Sequence, residues 1–362
     1  MKLEKGEISS SQLMFLVGCF IQGSLLSSLS YAYPIAKHDT WLAVIAALIL
    51  GLLFAFIYLA IANQFPGQNI IQINDLVFGP YLGKFVSLHY VYLFLSSLSI
   101  YLWYIGDFVL TYVMPETPVI LIMIMFIFIC AWAVRLGIEV IARVSILFFF
   151  ITYLIITVTV GLLLKDMKFT NLLPIFELPL RDFIHSTHII LHYSFSTVMI
   201  FLMVIPSMNK PKEAKKSVLL GMIFGGMFMI MGAVRDIATL GPLCGVMTTP
   251  SLEAVRIISI AKILTRLEVL VAMGQIFLLF IIASLFYYTS AVSIAQLTKL
   301  RTYVPLVFPL GIISVTQALT SYESRMQLSY MSIHITPMYS LLFYLVIPLT
   351  TLIVAKLRHL PK

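Results

Sequence analysis

Gly18-Cys19-Phe20-Ile21-Gln22-Gly23-Ser24, followed closely by Ser27, Ser28 and Ser30, places small and polar residues at the middle of the first long apolar run of this chain. His192-Tyr193-Ser194-Phe195-Ser196-Thr197 does the same in the sixth run. A helix interrupted inside a bilayer leaves backbone N–H and C=O groups unpaired, at several kcal/mol each unless protein, water or a ligand satisfies them. The two interruptions are therefore candidate binding positions.

Composition sets the class around them. The chain has 362 residues, 61% hydrophobic and 10% charged, with a mean hydropathy of +1.04, outside the range of soluble proteins. This predicts an all-α polytopic membrane protein. The net charge of +8 lies in short clusters between apolar runs, so it points to topology and to no nucleic-acid partner. Cys19, Cys130 and Cys244 form neither a disulfide framework nor a CxxC metal site. Residues 1–10 precede a run too long and too serine-rich for a cleaved signal, and are expected to be retained.

Windows of about 20 apolar residues predict ten spans, near residues 11–36, 41–62, 84–113, 118–134, 144–164, 182–206, 217–240, 267–295, 304–319 and 337–356. Lys84, Arg135, Arg143, Lys210, Lys212, Lys215, Lys216, Lys299, Arg301, Lys356 and Arg358 share the face of the N-terminus, which places both termini in the cytoplasm. Lys37, Arg181, Arg235, Arg256 and Arg325 are assigned to the other face. Spans one and six lie five apart, as expected for a 5+5 inverted repeat with helices 1 and 6 broken at mid-membrane. No linker or soluble module interrupts residues 1–362, which are expected to form one transmembrane domain.

The connecting segments carry their own signals. Phe65-Pro66-Gly67 and Gly79-Pro80-Tyr81-Leu82-Gly83-Lys84 bracket a short amphipathic stretch over 69–77. Glu139 stands four residues from both Arg135 and Arg143, which predicts an alternating charge ladder on one helical face of a solvated loop. Thr249 and Pro250 open an amphipathic helix over 250–262, placed over the bundle as a lid or at the membrane interface.

Together with Pro115-Glu116-Thr117-Pro118, Glu139-Val140-Ile141-Ala142-Arg143, Asn171-Leu172-Leu173-Pro174, Asn209-Lys210-Pro211-Lys212 and Pro305-Leu306-Val307, these segments resemble the spore germination permease family, the B subunits of nutrient germinant receptors in the amino acid–polyamine–organocation superfamily. The resemblance runs nearly the whole length. It implies a receptor subunit in the inner membrane of a bacterial endospore that works with A and C subunits and senses a small nutrient such as an amino acid. Where members of the family often show a Gly-Glu pair in span six, this chain has Ser196 and Thr197. An intramembrane carboxylate is the natural proton carrier, so its replacement favours sensing over proton-driven pumping.

The residues themselves offer a ligand site. Gln22, Gly23 and Ser24 put glycine and small polar groups at the break, where a helix N-terminus suits a carboxylate. Ser194, Ser196 and Thr197 supply neutral acceptors, or bond back to the preceding turn. In span three Tyr90, Phe94, Ser97, Tyr101 and Tyr104 share a face, from which Ser97 and Tyr101 are expected to reach the pocket. In span eight Gln275, Leu279, Ile282 and Phe286 share another, with Gln275 as its buried amide. His185, His188 and His192, at i, i+3 and i+7, fit a pH-sensitive gate better than a zinc site. Asp107, about 35 Å along its helix from Lys84, is expected at the far interface. No nucleotide-binding loop, zinc-protease or serine-hydrolase motif is present, so no enzyme activity or cofactor is expected. A secondary amino-acid transporter is the alternative to a receptor subunit.

Overall fold

The computed structural model describes residues 6–258 and 267–360. Eight helical stretches are long and apolar enough to cross a membrane, and two shorter apolar helices, Ser10–Gly23 and Val304–Thr320, accompany them. Among the described residues there is no β-strand. One isolated bridge joins Ile8 to Met208, with Ile8 N–H donating to the Ser207 carbonyl at 2.9 Å.

The helices are α1 (Ser10–Gly23), α2 (Leu25–Ala36), α3 (Thr40–Gln64), α4 (Ile70–Tyr112), α5 (Val119–Leu136), α6 (Ile138–Leu163), α7 (Leu180–Ile190), α8 (Ala214–Leu240), α9 (Pro250–Arg256), α10 (Glu268–Leu297), α11 (Val307–Thr320), α12 (Arg325–Tyr330), α13 (Thr336–Leu341) and α14 (Ile347–Leu357). Helix α1 starts on a capping box between Ser9 and Gln12, which satisfies two of the backbone N–H groups left free at a helix start. Asn69 and Gln72 form a second one at the start of α4. The amphipathic stretch expected over 69–77 is thus the first part of α4, bent off at Gly79 (φ +82°) before Pro80. Glycine tolerates that left-handed φ and proline ends the preceding turn.

Two expectations need correction. Gly137 (φ +99°) separates α5 from α6, so Arg135 and Glu139 do not share a helical face and the predicted ladder is cut in half. Among the described residues Glu139 pairs with Arg143, while the Arg135 guanidinium lies 5.4 Å from the centroid of the Phe308 ring. The last span begins at Arg325, not near 337, and runs to Leu357. Its first part, rich in Ser, His and Tyr, keeps helical form through π-helical turns at Met331–Ile335 and Leu342–Val346. The segment over 250–262 is helical at Pro250–Arg256, and its remainder from 259 lies outside the described residues.

Both interruptions named at the outset are present. Ser24 separates α1 from α2 while staying in the right-handed helical region (φ −78°, ψ −7°), its N–H bonded to Ile21 O and Gln22 O. This is a one-residue tightening of the helix. The second is more extensive, with α7 passing into a π-helical turn at Leu191–Phe195 and then a 3-10 stretch at Ser196–Met203. A π turn leaves carbonyls without their usual partners and is a common device at functional positions. The whole stretch from 191 to 203 is buried, packed inside the bundle against α3, whose Gly51 faces Phe195 with no room for a Cβ.

Candidate functional site

The two interruptions meet. The Ser24 hydroxyl lies 2.7 Å from the Ser194 hydroxyl and also 2.7 Å from Ile21 O. Around this joint side chains take up backbone carbonyls: Gln275 Nε2 donates to Gly23 O at 3.2 Å, Ser27 and Ser28 hydroxyls to Ser24 O at 3.0 and 2.8 Å, and Tyr58 O–H to Ser196 O at 3.2 Å and Tyr344 O at 2.6 Å. Tyr58 therefore ties the 3-10 start of one span to the second π turn of the last. Tyr193 O–H likewise donates to Ser332 O at 3.3 Å within the first π turn. The carbonyls that irregular backbone releases are covered by protein donors, which is the condition for irregular helix inside a bilayer.

Directly beyond the joint, on the side away from the termini, lies a cavity of about 630 Å³. Its floor is Gly23, Gln275 and Leu279, and its aromatic wall is Tyr31, Tyr101, Trp103, Tyr104 and Phe108. The Tyr101 ring stacks on Phe286 with centroids 5.7 Å apart and planes 21° apart, so Phe286 fixes its angle from behind. Tyr31 and Tyr104 hydroxyls are 2.7 Å apart. Ser27, Ser30, Thr249 and Ser329 add hydroxyls. Asp107 of α4 and Arg325 of α12 close the rim with an ion pair of 2.9 Å. Among the described residues they are the two charged side chains lining the cavity, and they are of opposite sign. Such a cavity, mostly apolar with a few convergent polar groups, suits a small organic ligand.

The expected site residues divide between lining and support. Gly23, Tyr101 and Gln275 line the cavity. Ile282 packs under Gly23, where an added Cβ would stand 2.6 Å from its Cδ1, and Phe286 backs Tyr101. Gln22 points to α6, its Oε1 accepting from the Thr152 hydroxyl at 2.9 Å. Ser24 and Ser194 hold the joint, while Ser97, Ser196 and Thr197 bond back to Leu93 O, His192 O and Tyr193 O. The histidines diverge: His185 Nε2 is 3.1 Å from Ile333 O and His192 Nδ1 is 2.6 Å from the Ser340 hydroxyl. Among the described residues no three metal-ligating side chains converge.

Two charged features went unread in the sequence. Asp107, expected at the far interface, lies at the cavity rim, and Arg325, assigned to the same far face, opens α12 and pairs with it there; the pairing is what the sequence does not show. Arg235 was assigned to the far aqueous face, yet it is buried on α8 beside the equally buried Asp236. Its Nε and Nη2 donate to Asp236 Oδ1 at 2.9 and 2.7 Å, and its Nη1 to the Thr159 hydroxyl at 3.1 Å. Tyr33 O–H donates to Asp236 Oδ2 at 3.0 Å, as does the Ser251 hydroxyl. The network joins α2, α6, α8 and α9, and Arg235 and Ser251 line a smaller pocket that shares Leu26 and Gln275 with the cavity.

The family model for spore germination proteins of the spore permease type matches residues 7–326. The chain belongs to that family. Spore germination protein KB of Bacillus subtilis (strain 168) is 28% identical over 98% of this chain and 95% of its own length. Spore germination protein YndE of the same organism is 24% identical over 78% of this chain and 77% of its own length. Among solved structures, the fold resembles that of Mhp1, a nucleobase-cation-symport-1 family transporter in a closed conformation with bromovinylhydantoin bound. The TM-score is 0.65 at 11% identity, over 99% of this chain and 92% of that one. A Na+-coupled sialic acid symporter in a substrate-bound outward-open state gives a TM-score of 0.56 at 11% identity, over 95% and 94%. The family and the fold are those of permeases and transporters.

Replacing Tyr101 by Ala removes the ring that stacks on Phe286 and widens the cavity. Binding of a small organic ligand in this cavity is expected to weaken about tenfold, at the scale of one aromatic contact plus the lost apolar area, with insertion unchanged. Equilibrium binding in nanodiscs measures this.

Proposed function

We propose that this protein is the membrane subunit of a spore germinant receptor, binding a neutral or zwitterionic small nutrient of amino-acid size in the cavity above the Ser24–Ser194 joint. The observation that carries this is the aromatic-walled cavity, rimmed by the Asp107–Arg325 ion pair, beginning at the point where two interrupted helices meet. Ten spans in a 5+5 inverted repeat are part of the same reading, supported by the pairing of interruptions in the first and sixth spans and by the likeness to Mhp1. A and C subunits would read the ligand-dependent shape of the bundle, in the inner membrane of the endospore, with both termini on the core side. Binding can shift that shape only through different affinity for two states.

Secondary amino-acid transport is the second reading, favoured by the symporter likeness. The chain reconstituted alone in liposomes separates the two. The receptor reading expects saturable binding of a radiolabelled L-amino acid to the protein without saturable accumulation in the lumen. Saturable uptake without partner subunits contradicts it.

A further inference from the structure

The rim of the cavity carries one anion and one cation, bonded to each other across two helices that are far apart in sequence. Asp107 lies in the last part of α4 and Arg325 is the first residue of α12. Their side chains are 22% and 42% exposed, so both reach water while facing the same cavity. A pair this accessible holds weakly and exchanges partners readily. Six residues separate Asp107 from Tyr101, about 9 Å of helix at 1.5 Å per residue. A molecule held by the rim charges would therefore have the depth of an amino-acid side chain between the rim and the Tyr101–Gly23 floor. Arg325 offers a planar fork of donors that matches a carboxylate, and Asp107 offers two acceptor oxygens to an ammonium group.

We propose that Asp107 and Arg325 are the charge-recognition pair of this cavity, exchanging their mutual ion pair for the ammonium and carboxylate of a zwitterionic α-amino acid. The exchange is electrically balanced, since one ion pair is replaced by two of the same sense and no net charge enters the site. It also removes the direct link between α4 and α12, so occupancy alters how the last span, with its π turns at Met331–Ile335 and Leu342–Val346, is held against the rest of the bundle. The carboxylate is thereby placed at the rim, leaving the apolar side chain to the aromatic wall. The inference rests on the reading of the cavity as a nutrient site and narrows its ligand to molecules that carry both charges.

The test is equilibrium binding to the full chain in nanodiscs, with the common L-amino acids, their N-acetyl and carboxamide forms, and glucose and a nucleoside as uncharged probes. The wild type is expected to bind at least one free amino acid and to bind its two blocked forms about tenfold or more weakly, the scale of one lost hydrogen bond to a charged group. Asp107→Asn is expected to erase the preference for the free amine over the N-acetyl form, and Arg325→Gln the preference for the carboxylate over the carboxamide. Arg325→Lys should restore part of the latter. A merely structural role for the pair would weaken free and blocked forms alike and leave both ratios unchanged, which overturns the proposal. Tight binding of an uncharged probe, insensitive to both substitutions, overturns the proposal and leaves the cavity reading standing. Failure of every probe to bind the wild type overturns both.

Discussion

Gly23→Leu is expected to weaken binding of the proposed small nutrient to the purified chain by about a hundredfold or more. At this position a Cβ would stand 2.6 Å from Ile282 Cδ1 and 3.1 Å from the Leu278 backbone oxygen. The Ile282 methyl can move, but the α10 backbone cannot without repacking, and overpacking of this kind costs about 1–3 kcal/mol. The rest of the leucine side chain has to push α1 and α10 apart or turn into the cavity that Gly23 floors, and either deforms the space of the ligand. It also displaces Gly23 O from the Gln275 amide, 3.2 Å away. The loss is local, so the variant still inserts and keeps its helix content. Gly23→Ala, with one carbon in place of four, should retain binding at reduced affinity. Unchanged binding in Gly23→Leu removes the floor from the proposed site.

The second large effect is on stability. Asp236 is fully buried and accepts from Arg235, Tyr33 and Ser251. Asp236→Ala leaves a buried guanidinium without its counter-charge and a tyrosine hydroxyl without its acceptor. Breaking a buried pair by removing one partner costs about 3–5 kcal/mol. Thermal unfolding in nanodiscs, followed by the release of tryptophan or thiol signals, should show the largest drop of any single substitution outside the floor of the cavity. Replacing both charges, Arg235→Met with Asp236→Leu, should recover much of the loss, because well-packed apolar residues often match a buried pair. A double variant no better than Asp236→Ala would show that packing, not the orphaned charge, sets the cost. The Arg235 guanidinium is held by Asp236 through Nε and Nη2 and by the Thr159 hydroxyl through Nη1, so its charge is matched within the bundle.

How much of this was legible in the sequence follows from what kind of signal each feature leaves. Apolar runs mark spans because lipid tolerates little else, and the interruptions at Ser24 and over 191–197 stood out against them. The start of the last span was missed because residues 325–336 are too polar for a hydropathy window, and π turns leave no periodic signature. Arg235 reads as aqueous because an Arg-Asp pair near the end of an apolar run looks like a boundary; Asp236 supplies its counter-charge, and Tyr33, Thr159 and Ser251, brought from three other helices, complete the hydrogen bonds that make burial tolerable. The Asp107–Arg325 pair joins residues too distant in the chain for any local pattern to relate them. Gly137 was visible in the sequence, but its positive φ, which splits the charge ladder, is a property of the turn. Tyr101 and Gln275, grouped by shared-face spacing, line the cavity, whereas Ser97, from the same reasoning, turns its hydroxyl back to Leu93 O.

The central claim is that a small nutrient occupies the cavity between the Gly23 floor and the Asp107–Arg325 rim. Ser30 lines that cavity and is partly exposed, whereas Cys19, Cys130 and Cys244 are buried, so Ser30→Cys supplies one accessible thiol. The measurement is its rate of modification by a charged thiol reagent, in nanodiscs, with and without a saturating mixture of L-amino acids. A nutrient held in the cavity predicts ready modification that the amino acids slow about tenfold or more, a protection tied to occupancy. Modification at the same rate with and without the mixture, in a protein shown to bind one of its components, would place that ligand elsewhere and contradict the claim.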